Sequence, residues 1–131
     1  MIVVDASVFA FCLLDDGGIG ERCRSVLRAD DRWIAPEHWM VEVLSAIRGN
    51  LLAGKISQRH AADALEALAA LEPVVPHTRV LLPRMWELRA NLTAYDAAYA
   101  AAAETYGCVL VTTDGRMARC GALRCPVEII T

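Results

Sequence analysis

The sequence contains no Cys-x-x-Cys pair, a single lysine and no apolar run long enough to span a bilayer. Each shortage excludes something. Its apolar stretches fall short of the ~18 residues that a membrane-spanning helix needs. The start, Met1-Ile2-Val3-Val4-Asp5, lacks the basic segment of a secretory leader. A cytoplasmic protein with no membrane partner is the expectation. The 5 cysteines, Cys12, Cys23, Cys108, Cys120 and Cys125, are odd in number and scattered, which argues against a disulfide framework and for reduced core thiols. Cys120 and Cys125 lie in a different segment from His38, His60 and His77, so no zinc-binding set is apparent.

Strong positive charge is also missing. The net charge is -3, which excludes a protein that coats nucleic acid through a broad basic surface. Of the 13 basic residues all but Lys55 are arginine, whose planar fork matches phosphate oxygens. Any nucleic-acid contact is therefore expected to be local. What the chain has in quantity is apolar material: 56% of residues are hydrophobic and 22% charged. A chain of this length can bury roughly two-thirds of its unfolded surface, so one domain over residues 1–131 is expected, without covalent staples.

Short β-branched runs alternate with helical patterns. Ile2-Val3-Val4 reads as a buried strand, followed by an apolar helix through Leu14 with Ser7 or Asp5 as its cap. Asp15-Asp16-Gly17-Gly18 interrupts the chain; a helix over 19–29 and a strand at Trp33-Ile34-Ala35 follow. The spacing predicts a helix over 37–52, with Met40, Val41, Leu44 and Ile47 on its buried face, and another over 58–71 capped by Ser57. Pro73-Val74-Val75-Pro76 reads as an edge segment. Helices are expected over 79–90 and 93–106, with Tyr95, Tyr99 and Tyr106 as packing residues. Cys108 through Thr112 is the clearest strand; a short helix and a last strand near Val127-Glu128-Ile129-Ile130 complete the chain. Such alternation implies an α/β fold, a central mostly parallel sheet with helices on both faces, because parallel strands need helix-length crossovers.

In sheets of this kind ligands gather at the carboxyl ends of the strands. Asp5 and Asp114 each stand just past a strongly apolar strand. Glu42 sits beside the apolar face of its helix, and Asp96 follows Thr93 at the spacing of an N-terminal capping box. Each has an ordinary explanation: a helix cap for Asp5 and Asp96, a solvated side chain for Glu42, a turn for Asp114. Together, two at strand ends and two on flanking helices, they suit an all-oxygen magnesium site better than four unrelated caps. Thr112 or Thr113 is placed to hold a metal-bound water.

The stretches Ile2-Val3-Val4-Asp5-Ala6-Ser7, Ala35-Pro36-Glu37 through Glu42 to Arg48, Leu92-Thr93-Ala94-Tyr95-Asp96-Ala97-Ala98-Tyr99 and Val111-Thr112-Thr113-Asp114 resemble, in order, the motifs of PIN-domain nucleases. Across nearly the whole chain the resemblance is to the VapC-type toxins of bacterial toxin–antitoxin pairs. It implies a three-layer PIN-like fold with Asp5, Glu42, Asp96 and Asp114 as the acidic quartet, catalytic and metal-binding, and Ser7 and Thr112 as polar supports. It further implies a magnesium-dependent endoribonuclease, with manganese as a substitute ion, that cleaves RNA to leave a 5′-phosphate. A homodimer and a cognate antitoxin that covers the acidic cleft are implied partners. Some relatives carry another acid after the last aspartate; here Arg116, Met117 and Ala118 follow, so a fifth ligand is not expected. Arg116 and Arg119 are the nearest candidates for contact with the RNA backbone. A housekeeping RNA-processing nuclease and a receiver-like magnesium-binding signalling domain are the alternatives. The second fits less well, because receivers pair acids after the first strand and place a lysine after the last.

Overall fold

Strands of 2 to 4 residues are too short to stand alone, and the chain stacks four of them side by side. The computed structural model describes residues 1–131. In chain order the elements are β1 (Ile2–Val4), α1 (Ala6–Leu14), α2 (Gly18–Ala29), β2 (Trp33–Ile34), α3 (Trp39–Leu52), α4 (Gln58–Ala69), α5 (Thr78–Glu87), α6 (Ala94–Tyr106), β3 (Val109–Thr112), α7 (Gly115–Arg119) and β4 (Val127–Ile129). The strands form one sheet in the order β2-β1-β3-β4, every pairing parallel. Helices cover both faces, as the alternation predicts. The Pro-bounded segment adds one parallel bridge, Val74 to Ile34, at the β2 edge.

Successive crossovers leave β1 toward β2 on one side and toward β3 on the other. The β1–β3 seam is therefore where the winding reverses, the place at which such sheets open a crevice beyond their carboxyl ends. Register sets Val4 opposite Val111, and the Asp5 amide donates to the Val111 carbonyl at 2.9 Å. Asp5 and Thr112 thus stand side by side at the rim.

The core is built around this seam. Val3, Val4, Leu110 and Val111 are fully buried, as are Val8 and Phe9 on α1. Helix α6 presents Ala97, Ala98, Ala100, Ala101, Ala102 and Ala103, all buried, to its surroundings, so its backbone lies close against β1 and β3. Tyr99 is the one large side chain among them. Gly107, in the left-handed conformation at φ 62°, ends the helix and turns the chain into β3.

Helix α3 turns a different face inward than its apolar spacing suggests. Trp39, Val43 and Ile47 are buried, whereas Met40, Val41 and Leu44 are exposed. The helix carries more apolar residues than one stripe can hold, and the aromatic decides: Trp39 stacks tilted on Phe9 with ring centres 4.8 Å apart. Rotation by about one residue follows, and it brings Glu42 toward α6 rather than toward water.

Two polar devices join the layers. Arg84 on α5 bonds Glu104 on α6 through Nε at 2.6 Å and Nη2 at 3.2 Å, and also donates to the Ala122 carbonyl at 2.7 Å. Glu104 in turn accepts from the Arg124 amide at 2.7 Å. At the α1–α2 junction the Gly20 amide donates to the Asp15 carboxylate at 2.7 Å, and a Cβ on Gly20 would fall 2.0 Å from the Asp15 carbonyl oxygen. Gly20→Ala is therefore expected to force the junction apart and to cost about 2 kcal/mol, typical of overpacking. Urea unfolding checks it, and an unchanged midpoint would contradict this account of the junction.

Candidate active site

The strand ends carry the first two acids. Asp5 occupies the N-cap position of α1, yet its side chain makes no capping bond. Its Oδ2 instead accepts from the Ser7 hydroxyl at 2.6 Å and from the Thr112 hydroxyl at 2.7 Å. Thr112 is the only fully buried polar residue in the chain, and its Oγ1 also accepts from the Asp114 amide at 3.0 Å. Ser7 Oγ accepts from the Thr113 amide at 3.2 Å. Two hydroxyls thus lash the ends of β1 and β3 together and fix the Asp5 carboxylate at the seam.

Asp114 does behave as a cap, accepting from the Arg116 amide at 2.9 Å. It is also forked by the Arg116 side chain, with Nη2 at 2.7 Å and Nε at 3.1 Å. That guanidinium holds the Asp114 carboxyl below its ordinary value. Arg116 is thereby committed to a carboxylate, and Arg119 folds back with its Nη1 3.0 Å from where a Gly115 Cβ would stand.

The other two acids arrive on helices that begin at the same rim. Thr93 caps α6 by accepting from the Asp96 amide at 3.2 Å, while the Asp96 carboxylate takes no backbone N–H in return. The reciprocal half of a capping box is not made. Glu42, in the first turn of α3, accepts from the Tyr99 hydroxyl at 2.8 Å and lies 3.2 Å from His38 Nε2. Tyr99 is fully buried and spaced three residues from Asp96, so α6 delivers one acid and the anchor of another.

The four acids feel one another. Burial raises Asp5 from its ordinary value; the Ser7 and Thr112 hydroxyls oppose this, and the charges of Glu42 and Asp96 add to it. Burial also raises Asp96, with Asp114 and then Glu42 adding to the effect and Arg116 opposing it. His38 is raised, first by its bond to Glu42. The Tyr99 hydroxyl is pushed well up, first by burial and then by Glu42, and it stays a donor. As the side chains stand, no three of the His, Cys, Asp and Glu residues are gathered tightly enough to hold an ion. Asp5, Glu42 and Asp114 are each tethered to a different partner, Thr112, Tyr99 and Arg116.

The donor set nonetheless fits a hard divalent cation. It consists of carboxylate and hydroxyl oxygens, and at Asp114 a cationic guanidinium already stands where positive charge is favoured. The His38-x-x-x-Glu42 spacing puts His38 one turn from Glu42, with both side chains on one helical face. The pairing of Tyr99 with Glu42, 57 positions apart, is not expected from the sequence and has no such signal.

The small parallel sheet wrapped by helices has known relatives. The chain belongs to the PIN domain family, whose profile matches residues 2–123, and it is of the VapC ribonuclease type. It is 36% identical to ribonuclease VapC9 of Mycobacterium tuberculosis, over 99% of this chain and 98% of that protein. The fold is similar to the crystal structure of VapC20 of Mycobacterium tuberculosis, described as a sarcin-ricin loop cleaving toxin: TM-score 0.68, 19% identity, 92% of this chain and 95% of that one. It is likewise similar to VapBC2 from Rickettsia felis bound to a promoter DNA fragment, with TM-score 0.65 and 12% identity over 100% of both chains. Membership of this family sets aside the receiver-like alternative. No helix is long and apolar enough to cross a membrane.

Proposed function

We propose that this chain is a magnesium-dependent endoribonuclease acting in the cytoplasm as the toxin of a toxin–antitoxin pair. The observation that supports it most directly is that Asp5, Glu42, Asp96 and Asp114 lie near enough at one rim of the sheet for their charges to act on one another, short of coordinating reach, with burial and like charge raising Asp5 and Asp96. The relatives named as VapC ribonucleases supply the substrate class.

Asp5, Asp96 and Asp114 are the proposed metal ligands, with Glu42 as a further ligand or as the group that orients a water. When bound, magnesium, or manganese in its place, supplies Lewis-acid activation of water and neutralises phosphate charge. Ser7 and Thr112 each spend their hydroxyl proton on Asp5, which fixes the direction of its free oxygen. The Tyr99 hydroxyl does the same for Glu42 Oε1, beside which His38 Nε2 stands at 3.2 Å. Arg116, which forks Asp114, would stand beside an ion held there, with its guanidinium suited to a phosphate oxygen. Exposed Met40, Val41 and Leu44 on α3 and Val80, Leu82 and Trp86 on α5 offer apolar surface for a second copy of the chain and for an antitoxin.

The deciding experiment incubates purified protein with labelled RNA in magnesium or in excess chelator and maps new ends. Fragments bearing 5′-phosphates only in magnesium are expected; equal cleavage in chelator would end the metal reading. Intact RNA under both conditions would end the nuclease reading.

A second expectation concerns stability. Because Asp96 carries a folded-state pKa above its unfolded value, the metal-free protein gains stability from this group as pH falls through the raised pKa, and the gain is complete below the ordinary carboxylate value. Asp96→Asn is expected to leave the metal-free melting temperature equal or higher. Magnesium at a hundred times its dissociation constant should add about 2.7 kcal/mol to the wild type and much less to this variant. Thermal melts with and without the ion check both statements.

A further inference from the structure

Beside the acids lies a cleft of about 410 Å³, lined by His38, Val41, Glu42, Ser45, Thr93, Tyr95 and Asp96. Tyr95 was expected to pack, yet it is 61% exposed, an aromatic ring left in water next to a candidate ligand. Its neighbour is His38, whose ring stands nearly perpendicular at 76° with centres 5.3 Å apart. In a perpendicular pair at least one face of the tyrosine has no ring over it. His38 is itself held firmly. Its Nε2 lies 3.2 Å from the Tyr95 carbonyl and 3.2 Å from Glu42, and its ring meets buried Tyr99 edge to face at 5.5 Å.

We propose that Tyr95, buttressed by His38, is a stacking platform for an unpaired nucleobase of the RNA adjacent to the cleaved phosphodiester. This rests on the ribonuclease reading and deepens it. A phosphate drawn to the Asp96 end of the cleft carries its base one sugar away, and Tyr95 directly precedes Asp96 in the chain. Single-stranded RNA is recognised by aromatic faces because every base offers a π surface, so the platform holds a base without dictating its identity. The Ser45 and Thr93 hydroxyls at the cleft wall supply what edge discrimination there is. A duplex keeps its bases stacked on one another and cannot use the platform, so the subsite favours loops and unpaired ends.

The test measures binding of a fluorescent single-stranded RNA in magnesium, on an Asp5→Asn background that prevents turnover. Tyr95→Ala is expected to weaken binding roughly ten- to a hundredfold, with Tyr95→Phe restoring it. An abasic nucleotide at the stacked position should cancel the difference between tyrosine and alanine. In otherwise wild-type protein, Tyr95→Ala should raise KM with kcat little changed. Equal affinity for the alanine variant, an equal loss with phenylalanine, or a loss that persists on abasic RNA would overturn the platform. If Tyr95→Ala cleaves RNA with wild-type KM but no longer binds a co-encoded protein partner, the face belongs to that partner and the proposal fails while the nuclease reading stands. If the wild type neither binds nor cuts RNA, both fail.

Discussion

Asp5→Asn is expected to lower RNA cleavage by roughly a thousandfold or more while leaving the protein folded. The substitution keeps the shape of the side chain and an oxygen for the Ser7 and Thr112 hydroxyls. It removes the negative charge at the seam. If the ion contributes several kcal/mol of transition-state stabilisation, a loss of about 4 kcal/mol corresponds to three powers of ten in rate. The melting temperature of the metal-free variant should hold or rise, because the charge removed is one that burial already disfavours. The pairing of lost activity with retained stability is what identifies a functional rather than a structural acid. A variant that retained a tenth of the wild-type rate would remove Asp5 from the centre of the chemistry.

Glu104→Ala has the largest expected effect on stability and lies on the far side of the molecule from the acids. Arg84 and Glu104 have side chains only 18% and 12% exposed, so removing one leaves a charge with little water to accept it. Burial alone would raise Glu104, but the Arg84 guanidinium and the Arg124 amide outweigh it and the carboxyl is lowered from its ordinary value. Breaking one partner of such a pair costs about 4 kcal/mol, and a domain of this size then melts roughly 15 °C lower. Since the folded pKa is depressed, the stabilisation is present above the ordinary glutamate value and is lost as pH falls through the depressed one. The gap between wild type and variant should therefore close in strong acid. A gap of equal size at every pH would show that the bond is not between charges.

Much of the fold was legible because parallel strands write themselves plainly. Val3, Val4, Leu110 and Val111 are fully buried and Ile2 and Val109 partly so, and the two strands read as unbroken apolar runs. Asp5 and Asp114 were legible for the same reason, as the first charges after those runs. The face of α3 was not legible. Its spacing offered two apolar stripes, and only the contact between Trp39 and Phe9, thirty residues apart in sequence, chooses between them. The tether between Tyr99 and Glu42 spans 57 positions and has no local signature. Tyr95 illustrates the opposite difficulty: composition says that aromatics go inside, and only the structure shows Tyr95, like Trp86, kept out.

The alanine surface of α6 has a consequence for how this protein can change over time. Methyl groups have no rotamers to exchange, so contact between α6 and the sheet can neither loosen nor adapt by side-chain repacking. Asp96 is held like a mark on a ruler whose far end is fixed at Gly107. Enlarging any of the buried alanines, even about two turns away, would slide that mark relative to Asp5. Evolutionary drift along α6 is accordingly limited by the position of a carboxylate that most of those alanines never touch.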